Sequence, residues 1–123
     1  MTQPLALVYY EKLMPGSQLV NKLQDLNYRV QTVHDPASLL LRARDTKPLL
    51  AIVDLAGGDA VCSAIAALKA DADAGHIPVI AFAAEGAARA METAQKAGAE
   101  LAVSEAAIAS HLPELLDQAL HVE

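Results

Sequence analysis

The sequence predicts an α/β fold: a doubly wound, five-stranded parallel sheet in the order 2-1-3-4-5, with five helices. Three observations lead there. Short apolar runs alternate with longer stretches of helical periodicity, which is the signature of a βα repeat. Three of those runs are continuously apolar instead of alternating, as strands buried on both faces are. At 123 residues the chain holds one core, so residues 1–123 form a single domain. Right-handed crossovers then require a parallel sheet with helices on both faces, and the flavodoxin-like order is the natural solution at this size.

The elements follow in order. The apolar runs are LALVYY (Leu5–Tyr10), YRVQTV (Tyr28–Val33), LLAIVD (Leu49–Asp54), IPVIAF (Ile77–Phe82) and ELAVS (Glu100–Ser104). The first, third and fourth are the continuous ones. YRVQTV alternates, which places it at a sheet edge. The first helix carries Leu19, Leu23 and Leu26 on one face, and Asn27 is a left-handed stop after it. Asp35-Pro36 is an N-cap followed by proline in the first turn, and it opens a helix marked by Leu39, Leu40 and Ala43. Val61, Ile65 and Leu68 mark the third helix. Ala87, Met91 and Ala94 mark the fourth, over Gly86–Ala97, which Gly98 closes. Ile108, Leu112, Leu115 and Ala119 mark the last, where Pro113 implies a late start or a bent first turn.

Composition excludes several classes of function. The chain is 54% hydrophobic and 20% charged, so it is not a disordered segment. Its apolar runs fall far short of a membrane span, and MTQPLALVYYEK carries no secretion signal. Cys62 is the single cysteine, which excludes an internal disulfide and a multi-cysteine zinc site; a cytoplasmic location is expected. Net charge is −6, with nine Lys and Arg in no run, so nucleic acid is not an expected partner. Nucleotide-binding glycine motifs are absent, and the four histidines have no paired metal spacing. No metal or other cofactor is expected. Cys62 reads as a small core or half-buried residue.

In a doubly wound sheet a site lies outside the carboxyl ends of the strands. The candidates are therefore Tyr9, Tyr10 and Glu11; His34 and Asp35; Asp54 with Gly57 and Gly58; Ala83 and Ala84; and Ser104 and Glu105. At this point the chain resembles a receiver domain of the response-regulator family. The stretches LALVYYEK, KPLLAIVDL, HIPVIAF and KAGAELAVSE carry the resemblance, which runs along nearly the whole chain. It implies the same five-stranded fold. In that family a histidine kinase donates a phosphoryl group to an aspartate, with magnesium. The resemblance places Asp54 at the phosphoacceptor position. It also puts Tyr9 and Tyr10 where two acidic residues hold magnesium, Ala83 at the switch Ser/Thr, and Ala102 at the aromatic switch. Glu105 stands at the lysine and Ala106 at the proline after it. Ala56-Gly57-Gly58 replaces the usual Met-Pro. This pattern is that of a degenerate receiver, or pseudo-receiver.

Physical chemistry agrees that the family's reaction should fail here. Phosphoryl transfer needs the charge on the transferred oxygens neutralised, and magnesium favours sites with carboxylate oxygens. Tyrosines remove those oxygens, and Glu105 reverses a charge. Like unit charges 4 Å apart cost about 1 kcal/mol in water and roughly four times that in a protein-like dielectric. Tyr9 and Tyr10 are expected on opposite sides of the strand end, one filling the emptied acidic pocket with its hydroxyl near Asp54. Asp54 itself is read as a strand-end carboxylate capping an amide in the loop that follows.

The functional reading is a signalling module that acts by protein contact without catalysis. Its partner would be a histidine kinase or another signalling protein. A homodimer through the helix 4–strand 5–helix 5 face is the expected contact, since many receivers use that face and helix four is alanine-rich. The rival reading is a working phosphoacceptor at Asp54, with Glu11 lending a carboxylate. A third is a small-ligand sensor under Tyr9, Tyr10 and Gly57-Gly58. The chain ends soon after its last helical pattern, so it would act alone or as the receiver part of a larger regulator.

Overall fold

The computed structural model describes residues 5–10, 13–33, 35, 37–55, 59–72, 75–83 and 88–120. Five strands alternate with helices along the chain: β1 Leu5–Tyr9, α1 Leu13–Asp25, β2 Arg29–Val33, α2 Ala37–Thr46, β3 Leu50–Asp54, α3 Asp59–Ala70, β4 Val79–Ala83, α4 Ala88–Ala97, β5 Leu101–Ser104, α5 Glu105–Ser110 and α6 Leu112–Leu120. The sheet order is β2-β1-β3-β4-β5, and every pair is parallel. The doubly wound sheet expected from the sequence is therefore present. The continuous apolar runs became β1, β3 and β4; all five residues of β3 and of β4 are buried. The alternating run became β2, at an edge, with Arg29 exposed and Val33 buried. Among the described residues no helix is long and apolar enough to cross a membrane.

Side-chain alternation splits the core in two. Leu7, Tyr9, Val53, Ala81 and Ala83 face one side, against Leu39 and Ala43 of α2, Val61, Ile65 and Leu68 of α3, and Ala94 of α4. Ala6, Val8, Ile52, Ile80 and Phe82 face the other, against Leu19 and Leu23 of α1, Ile108 of α5, and Leu112, Leu115 and Leu116 of α6. Each face is covered, as a parallel sheet requires.

The helix ends have chemical causes. Asn27 sits at φ 69°. Its N–H donates to Gln24 O at 3.0 Å, and the Tyr28 N–H donates to Leu23 O at 3.0 Å. That pair of bonds is a Schellman closure of α1. Gly98, at φ 118°, closes α4 in the same way, with Gly98 N–H on Gln95 O and Ala99 N–H on Ala94 O. Asp35 caps α2: its Oδ1 accepts from the Ser38 N–H at 2.9 Å, and its Oδ2 from the Ser38 hydroxyl at 3.0 Å.

One expectation is corrected. Five helices were predicted, and six are present among the described residues, because the last pattern is split. α5 ends on His111, whose N–H donates to Ala107 O at 2.8 Å, and α6 restarts with Leu115 N–H on His111 O at 3.0 Å. Pro113 stands second in α6. It has no N–H to continue the ladder, and its ring crowds the preceding turn. The apolar stripe crosses the break intact, since Ile108, Leu112, Leu115 and Leu116 all face one cluster. Periodicity alone therefore read one helix.

At the amino edge of the sheet, Lys69 Nζ donates to Glu100 Oε2 at 2.8 Å and to Ile77 O at 2.9 Å, while Glu100 Oε1 accepts from the Val79 N–H at 2.8 Å. The Lys69 stem runs over Gly98, where an added Cβ would lie 2.8 Å from Lys69 Cγ. Gly98→Ala therefore combines an unfavourable positive φ with displacement of a tethered side chain. It should lower the unfolding free energy by about 1–3 kcal/mol. Urea denaturation reads this directly, and an unchanged midpoint would contradict it.

Candidate functional site at the carboxyl edge of the sheet

The strands β1, β3 and β4 end side by side. Tyr9 is in register with Val53, Asp54 with Phe82, and Ala83 with Ser104. Neighbouring parallel strands lie about 4.8 Å apart, so the edge brings Tyr9, Asp54 and Ala83 onto adjacent strands. Glu105 follows on the outer strand as the first residue of α5. Four of the residues singled out from the sequence are thus assembled by topology. Tyr10 continues β1. Glu11, His34, Gly57, Gly58 and Ala84 lie outside the described residues, as does the loop amide that Asp54 was expected to cap.

Asp54 is the buried charged residue of the described structure, 2% exposed. Its burial follows from its place as the last residue of a strand with no exposed position. Burying a carboxylate is unfavourable unless polar groups meet it, and Asp54 is engaged by a neighbouring group. Alternation puts Asp54 on the same side as Ile52 and Phe82.

The two tyrosines part as expected. Tyr9 packs fully buried in the cluster beneath α2, α3 and α4. Tyr10 is half-buried against the opposite cluster. The Tyr9 hydroxyl has no hydrogen-bond partner among the described residues, so it is not bonded to Asp54. The phenol fills core volume, and an oxygen left without a partner there is a cost of about 1–3 kcal/mol.

Ala83 is buried at the end of β4, on the α2–α4 side of the sheet. Ala102 is half-buried against the α2–α4 side. Glu105 lies in the first turn of α5, whose N-cap is Ser104, with Ser104 Oγ accepting from the Ala107 N–H at 3.1 Å. A carboxylate suits that helix start electrostatically. Among the described residues no cluster of three or more His, Cys, Asp or Glu is placed to hold a metal ion. Cys62 is half-buried on α3.

Two features escaped sequence reasoning. The Lys69–Glu100 bridge joins residues 31 apart, and neither carries a local signal for the other. The surroundings of the Tyr9 hydroxyl, which has no partner among the described residues, are three-dimensional, and no spacing encodes them.

The sequence matches no protein-family model, and no curated protein matches it. Solved structures do match in shape. A candidate response regulator from Chloroflexus aurantiacus J-10-fl superposes with a TM-score of 0.89 at 16% identity, over 98% of this chain and 100% of that one. The chemotaxis response regulator CheY4 of Vibrio cholerae gives 0.83 at 18% identity, over 97% and 100%. A response regulator from Thermotoga maritima gives 0.82 at 17% identity, over 98% and 100%. The chain therefore has the receiver-like fold.

Replacing Tyr9 by Phe removes the buried oxygen and keeps the ring. Tyr9→Phe should raise the unfolding free energy by about 1 kcal/mol. Thermal unfolding at matched buffer checks it; a clear fall in the midpoint would show that the hydroxyl has a partner.

Proposed function

We propose that this chain is a receiver-like signalling module that works by protein–protein contact and without phosphorylation. One observation carries the reading. Asp54, the buried charged residue of the described structure, ends β3 at the edge where β1 ends in Tyr9, followed by Tyr10, β4 ends in Ala83 and β5 leads into Glu105; by the resemblance, these are the positions where a phosphoacceptor would have carboxylates, a hydroxyl and a cation. Phosphorylating Asp54 would add negative charge to a buried position, and Glu105 has the wrong sign to offset it. The rival, a working phosphoacceptor, would depend on Glu11 to supply the second carboxylate.

The surface proposed for contact is the face of α4, β5 and the start of α5. β5 is a sheet edge, and all four of its residues are half-buried. On α4, Ala94 is buried while Ala90, Met91 and Ala97 are half-buried. Arg89, Glu92 and Lys96 are exposed, with a Glu92–Lys96 pair at 3.2 Å. Small residues flanked by charges let a second copy approach closely. A twofold dimer through this face uses the same patch on both chains.

Incubation with acetyl phosphate and magnesium, followed by intact-mass measurement, should show no phosphoryl adduct. A stoichiometric adduct that Asp54→Asn abolishes would establish the rival. For the contact face, the exposed alanines Ala88 and Ala106 flank β5. Ala88→Arg with Ala106→Arg should abolish the twofold dimer in sedimentation equilibrium and shift the melting temperature by no more than about 2 °C. Unchanged dimerisation would remove this face from the proposal.

A further inference from the structure

The α5–α6 break has a consequence on the surface. Where the last helix is interrupted, it meets the carboxy-terminal end of α1 across a groove made of two adjoining cavities. One measures about 290 Å³ and the other about 240 Å³, and both are lined by Leu26 and Pro113. Their floor is apolar: Leu112 is shared with the first and Leu116 with the second, both buried. The rim is acidic on balance. Asp25 and Asp117 line it, against Lys22, and all three are exposed. Glu114 is exposed on the same helix. A groove of this kind fits a branched aliphatic side chain that carries a cation beside it.

The chain itself presents such a group. Leu41 of α2 is 62% exposed, the more exposed of two large hydrophobic residues on the described surface. It points outward because Leu39 and Ala43, on the opposite side of α2, are buried. The next residue, Arg42, is exposed and forms no ion pair among the described residues. We propose that Leu41 and Arg42 of one copy dock into the α1–α6 groove of the next, with Leu41 entering beside Leu26 and Pro113 and Arg42 meeting Asp25 and Asp117.

The two surfaces lie on opposite sides of the sheet, since α2 belongs to one core cluster and α1 with α6 to the other. The contact is therefore head-to-tail. It propagates into chains or rings instead of closing a twofold dimer. This distinguishes it from the α4–β5 face, and it stands whether or not that face dimerises.

The test starts from the full chain carrying Ala88→Arg and Ala106→Arg, so that the head-to-tail contact is read alone. Sedimentation equilibrium should show a weight-average mass that climbs past the dimer with concentration and falls with added salt. Adding Leu41→Glu, on the exposed surface of α2, should weaken association by about tenfold or more. Ser110→Arg, which projects a cation into the groove, should do the same. A mixture of the Leu41→Glu and Ser110→Arg proteins should form a dimer and nothing larger, because each keeps the half that the other lacks. A parent that stays monomeric up to about 1 mM overturns the proposal. So does a Leu41→Glu protein that associates like its parent, or a mixture that stays monomeric. Circular dichroism melts of each variant separate lost contact from lost fold.

Discussion

Everything in this molecule depends on covering both faces of a parallel sheet. β3 lies at its centre, and no residue of β3 is exposed. Backbone groups there are satisfied only by β1 and β4, and side chains only by helices above and below. That requirement separates α2, α3 and α4 from α1, α5 and α6. It also leaves the carboxyl edge as the place where strand-end residues converge. Asp54 is buried because it ends such a strand, whatever its chemistry.

At that edge, packing occupies the place of charge. A carboxylate at position 9 would have to be hydrated, paired or bound to a metal. A tyrosine needs none of these for its ring, which joins Leu7, Val53 and Leu39 in the core. Among the described residues its hydroxyl has no hydrogen-bond partner. Ala83 and Ala102 likewise present only small apolar groups to the core. In the reading proposed above, the fold is kept and its reactive edge is closed, so signalling falls to surfaces.

The opposite edge is held by charge. Lys69 and Glu100 are each mostly buried as side chains, at 16% and 19% exposure. Both have further backbone partners, which is what makes a desolvated pair tolerable. Together they fasten the end of α3 to the starts of β4 and β5. The contrast with the α5–α6 break is local: one place is tied by three hydrogen bonds, and the other is opened by a missing N–H. Rigid support and an accessible groove thus coexist on one small fold.

Much of the fold was legible in the sequence, because periodicity and turn chemistry are local. Continuous apolar runs specified buried strands, the alternation in YRVQTV specified an edge, and Asn27, Asp35 and Gly98 specified helix ends through their backbone preferences. The candidate positions were read as strand ends, and Tyr9, Asp54 and Ala83 do end neighbouring strands; their chemical roles belong to the reading proposed above. Tertiary structure decided the rest. It chose which tyrosine was engulfed, its oxygen without a partner among the described residues, and it brought Lys69 to Glu100 across 31 positions. It also turned Pro113 from a bend into a break with a groove beneath it. These outcomes depend on distances between elements, which a one-dimensional pattern does not carry; helix and strand identity depends on neighbours along the chain, which it does.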